Sequence, residues 1–129
     1  MTSIVRALAC VSLALFVATP TLAAPNDYRF EPVKPAVKNG AASELALRVI
    51  HKPTGKPVEG VVLFRTRLDM SPDSMGEMTA MHAAQPSSEP GVYKFRADLT
   101  MAGRWALKLM AKVPGEKETL EATVVFEAK

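Results

Sequence analysis

The chain has 129 residues, one cysteine, two histidines and a formal net charge of +3, with cations and anions interspersed. Length sets an expectation of one domain, and the absence of a basic stripe argues against nucleic acid as a partner. Cys10 falls in the first apolar run, so a disulfide scaffold and thiolate chemistry are excluded from everything after it.

The first element is "MTSIVRALACVSLALFVATPTLAAP". Arg6 is followed by an apolar run over residues 7–18, Pro20 breaks it, and Thr21 and Ala23 supply small residues at −3 and −1 of a cleavage site. This pattern predicts a secretory signal peptide over residues 1–23. The run is short for a membrane span, which needs about 20 apolar residues, so an uncleaved N-terminal anchor is the weaker alternative. Cleavage after Ala23 leaves 106 residues carrying 15 basic and 13 acidic side chains, a net charge of +2. The expected location is periplasmic or secreted.

Residues 24–42 carry Pro25, Pro32 and Pro35 and few apolar residues. They read as an extended leader with an edge strand near residues 28–33. Residues 43–129 then show period-two alternation. In "SELALRVIHK", Leu45, Leu47 and Val49 share one face. "PTGKP" supplies a turn, and "VEGVVLFRTRLDM" is expected to bury Val62, Phe64, Leu68 and Met70 against outward Arg65, Arg67 and Asp69. "GVYKFRADL" turns Tyr93, Phe95, Ala97 and Leu99 inward; "GRWALKLMAKV" does the same with Trp105, Leu107, Leu109 and Ala111; "TLEATVVFEA" with Leu120, Ala122, Val124 and Phe126. No segment sustains a helical period. With the leader and residues 77–83 as weaker strands, about seven strands are predicted. The fold class is all-β, and one buried face per strand calls for two packed sheets.

Between the second and third clear strands lies "DMSPDSMGEMTAMH". Four of the seven methionines and one of the two histidines fall within these fourteen residues. Met75, Met78 and Met81 form an M-x-x-M-x-x-M run among residues that favour a surface loop, where large apolar side chains are out of place. Thioether sulfur is soft and neutral, so it suits Cu(I) or Ag(I). It needs no deprotonation and forms no disulfide. The plainer readings are gap-filling in the core and an adaptable protein-binding surface. Met70 lies on the inward parity of its strand and reads as core before ligand.

In a sandwich of this kind, the connection after Met70 and the turn holding Met101 emerge at one end. That expectation gathers Met70, Met75 and Met78 near Met101 and puts His51 at the other end. A continuous strand over residues 77–83 would carry His82 toward His51. Asp69, Asp73 and Glu77 lack a calcium-loop pattern, and neither a nucleophile triad nor a phosphate-binding loop is present. No small-molecule substrate and no enzymatic activity are expected.

The segments "GVVLFRTRLDMSPDSMGEM" and "PGVYKFRADLTMAGRW", followed by an alternating strand, resemble the FixH-like/YtkA-like family of small exported bacterial domains, over about residues 45–127. The resemblance implies an immunoglobulin-like sandwich outside the cytoplasm. It also implies a part in copper handling, beside a membrane-bound efflux or oxidase-assembly protein. Met75, Met78 and Met81 are carried over as candidate ligands, then Met70, His82 and Met101. The alternative is a metal-free interaction module docking a membrane complex.

Overall fold

The computed structural model describes residues 27–129, so the expected signal peptide and Cys10 lie outside the described residues. Among the described residues, ten strands form two sheets. The first sheet has the order β1 (Tyr28–Pro32), β3 (Gly40–His51), β8 (Val92–Leu99), β7 (His82–Gln85), with β4 (Lys56–Pro57) also on β3. The second has the order β2 (Ala36–Val37), β10 (Leu120–Ala128), β9 (Gly103–Lys112), β5 (Val62–Met70), β6 (Met75–Thr79). Pairing is antiparallel except for β2 against β10. This is the immunoglobulin arrangement, with β5, β9 and β10 in one sheet and β3 and β8 in the other. The expected leader contributes β1 and β2, an edge strand on each sheet.

The alternation seen in β3, β8, β9 and β10 has one cause: each strand turns every second residue between the sheets. Leu45, Leu47, Val49, Phe95, Leu99, Trp105, Leu107, Val124 and Phe126 form one core, with Trp105 fully buried. Full burial of each large side chain stabilises by about 1.5–3 kcal/mol relative to leaving it exposed.

The N-terminal half of β5 departs from the expected phase. Val62 is 59% exposed, and Leu63 packs on the core in its place. Arg65 has φ +49°, and the register slips from Phe64 opposite Met110 to Arg67 opposite Lys108. Arg65 and Thr66 thus face a single residue of β9. This β-bulge inverts the inward and outward sides before it. From Thr66 onward the inward phase is as expected, with Leu68 and Met70 buried; Asp69, expected outward, is buried as well, paired with Arg67 and Lys108.

Residues 77–83 are likewise not one strand. β6 ends at Thr79 on the second sheet, and β7 begins at His82 on the first. Ala80 and Met81 make the crossing. The Ala80 amide donates to the Leu68 carbonyl (2.9 Å), and the Met81 carbonyl accepts from the Asp98 amide (3.0 Å).

Candidate functional site

The methionine segment begins where β5 ends. Asp69 is buried, and its carboxylate accepts the Ser71 amide (3.0 Å), Arg67 Nε (2.9 Å) and Lys108 Nζ (3.2 Å). Acceptance of the amide two residues on is an Asx turn, which starts the 3-10 turn Ser71–Asp73. Desolvation pushes the Asp69 pKa up, but the hydrogen bonds from Ser71, Arg67 and Lys108 outweigh it and hold the carboxyl well below its ordinary range. Asp73 then accepts the Arg104 amide and Arg104 Nε, both at 2.7 Å, while Arg104 Nη2 donates to the Pro72 carbonyl (2.7 Å). The backbone and side-chain bonds from Arg104 lower the Asp73 pKa.

Beyond Ser74 the register jumps. Met75 faces Met70, yet Thr79 faces Asp69, so Gly76, Glu77 and Met78 have no counterpart on β5. Arg67 Nη2 holds this bulge by donating to the Gly76 carbonyl (2.8 Å). His82 closes the segment. Its Nδ1 donates to the Ala80 carbonyl (3.0 Å), and its Nε2 meets Thr66 Oγ1 (2.7 Å).

Met75, Met78 and Met81 therefore alternate with fixed points at Asp73, Gly76, Ala80 and His82. Their side chains remain accessible: Met75 is 36% exposed, Met78 40%, Met81 81% and Met101 37%, whereas Met70 is 0%. All four exposed methionines lie at one end of the sandwich. Met101 is in the β8–β9 turn, its carbonyl accepting from Trp105 Nε1 (3.1 Å), and Arg104 on the same turn grips Asp73. Met81 reaches that end because it pairs with Asp98, just before the turn.

The candidate residues thus divide. Met75, Met78, Met81 and Met101 share an end. Met70 is in the core. His82 stays near the methionines, opposite Ala97, with both ring nitrogens occupied. His51 is at the far end, opposite Tyr28, with Nδ1 2.9 Å from Thr54 Oγ1. A groove of about 470 Å³, lined by Val61, Leu63, Tyr93 and Phe95 among others, contains none of the candidate residues. Among the described residues, no group of three or more His, Cys, Asp or Glu side chains is gathered for a metal ion.

The exposed sulfurs at this end are thioethers, while Asp69 is paired with Arg67 and Lys108, and Asp73 with Arg104. Neutral sulfur donors suit a soft monovalent ion better than a hard divalent one. Asp69, Asp73, Arg67, Arg104 and Thr66 are not legible in the sequence as parts of the site. The outward parity of Arg67 and Asp69 is visible there, but not what they grip.

Fold and site together define an immunoglobulin-like β-sandwich with a thioether-bearing end. The family model for YtkA-like proteins matches residues 22–110, a span that includes every candidate methionine and His82. The chain belongs to the YtkA-like family. No curated protein matches it. Among solved structures it is similar to the ZirS C-terminal domain, at 12% identity and a TM-score of 0.45, covering 100% of this chain and 84% of that one.

Proposed function

We propose that the protein is a non-enzymatic accessory of metal handling outside the cytoplasm. It binds a soft monovalent ion, Cu(I) or Ag(I), through Met75, Met78, Met81 and Met101, and exchanges it with a membrane-bound efflux or oxidase-assembly protein. One observation carries this reading: exposed thioethers are spaced between pinned backbone positions at a single end of the fold. Holding the backbone lowers the ordering cost of binding. Leaving the sulfurs at the surface lets an incoming partner displace them one at a time, which suits a carrier.

The same exposure supports a second reading, a metal-free docking patch, because methionine is favoured at adaptable interfaces. Titration of the protein with Cu(I) against a competing chelator separates the two, repeated with Met75, Met78 and Met81 all changed to Leu. Leu keeps the apolar surface and removes the sulfur. The carrier reading expects metal retention to be lost in the variant; equal retention in both proteins, or none in either, favours the docking patch.

A further inference from the structure

The sequence offers His82 as a candidate ligand, and its surroundings assign it another task. It pairs with Ala97, a fully inward residue of β8, so the imidazole lies on the inner face of β7, its ring centroid 6.3 Å from that of Phe95. Thr66 belongs to the opposite sheet. The bulge at Arg65 restores the phase in which Thr66 shares the inward side with Leu68 and Met70. A hydroxyl between the sheets needs a partner. Thr66 Oγ1 finds it in His82 Nε2 at 2.7 Å. The Ala80 carbonyl can only accept, so Nδ1 carries the proton, and Nε2 of the neutral ring accepts from the Thr66 hydroxyl.

We propose that His82 is a positioning residue, a strut from β7 to β5 that sets the placement of Met81. Met81 is the last residue of the crossing, directly before the inward His82, and is the most exposed methionine of the segment. The bond to Ala80 fixes the carbonyl just before it. Metal coordination through Nε2 would cost the Thr66 bond and release the crossing, so holding Met81 and ligating the ion are competing tasks for this ring. The inference rests on the proposed metal site for its consequence, but the strut itself does not need a metal to be detected.

Two measurements on the metal-free protein and two on the Ag(I) complex test it, using Thr66→Val, which keeps the shape, and Thr66→Ser, which keeps the hydroxyl. In Thr66→Val, amide hydrogen exchange at Ala80, Met81 and His82 should accelerate. In Thr66→Ser it should remain near that of the parent. Loss of a group that orients metal ligands typically weakens affinity about 10–100-fold, and Ag(I) binding by Thr66→Val should fall by roughly the lower figure and recover in Thr66→Ser. The His82 ring nitrogens should keep their resonances when Ag(I) is added to the parent. Unchanged exchange in Thr66→Val overturns the strut, and a coordination shift of Nε2 on Ag(I) addition makes His82 a ligand instead. If the parent binds no Ag(I), the metal site fails while the exchange arm still decides the strut.

Discussion

Gly103 and Met70 occupy space that only one side chain can fill. A Cβ on Gly103 would stand 2.5 Å from Met70 Cε and 2.7 Å from Asp73 Oδ2, and the residue has φ +139°. The close approach lets the buried methionine and the 3-10 turn pack against the start of β9. Met70 serves the core there, although it faces the exposed Met75 across the strand pair.

Gly103→Ala should therefore combine backbone strain with overpacking and destabilise the fold by about 2–4 kcal/mol. Gly115→Ala is the control, since Gly115 has φ +86° and a Cβ there would meet nothing within 4 Å. It should cost only the strain, about 1 kcal/mol. Urea denaturation of both variants checks the ordering.

Asp69→Asn tests the buried carboxylate. Its partners Arg67 and Lys108 are about half exposed, which lowers the value of the pairs, so a loss of about 1–3 kcal/mol is expected. The sign of the pH dependence follows from the depressed pKa. The stabilisation is complete above the ordinary unfolded-state value of about 3.9 and is lost progressively as pH falls below it toward the folded-state value. Parent and variant stabilities should converge in acid, measured by denaturation between pH 7 and pH 2.

At the other end, Tyr28 donates to Glu116 Oε1 at 2.8 Å and ties β1 to the β9–β10 turn. Desolvation and the bond to Glu116 push its pKa up to about 12. The neutral phenol is the stabilising form, so its contribution is complete below the unfolded-state value of about 10 and is lost as pH rises through 12. Tyr28→Phe should cost about 1 kcal/mol at neutral pH. The difference from the parent should disappear in strong alkali, read by thermal melting across that range.

Oxidation by dilute hydrogen peroxide should rank the methionines by access. Met81 should convert to the sulfoxide first, Met75, Met78 and Met101 next, and Met70 only on unfolding. Peptide mass spectrometry over a time course gives the order, and early oxidation of Met70 would contradict its burial.

Much of this can be read from the chain. β10 alternates strictly, and β8 and β9 do so apart from the buried Val92 and Ala106, because each strand has one face on the core; Trp105 and Phe126 lie where the pattern puts them. The departure at Val62 and Phe64 comes from a single extra residue. Arg65 adopts a left-handed conformation with no glycine to announce it, and one inserted residue inverts a period of two. The crossing at Ala80 and Met81 is hidden for a related reason: an edge segment changing sheets has no continuous apolar face. For the site, the methionine spacing is visible, while the grip of Arg67 on Gly76 and of His82 on Thr66 depends on long-range register.

The most direct test of the central claim follows the methionine methyl resonances while Ag(I) is added to the protein. The signals of Met75, Met78, Met81 and Met101 should shift together and saturate at a fixed stoichiometry, with Met70 unmoved. Methyl signals that stay in place throughout the titration, or a response confined to residues away from this end, would contradict a thioether site there.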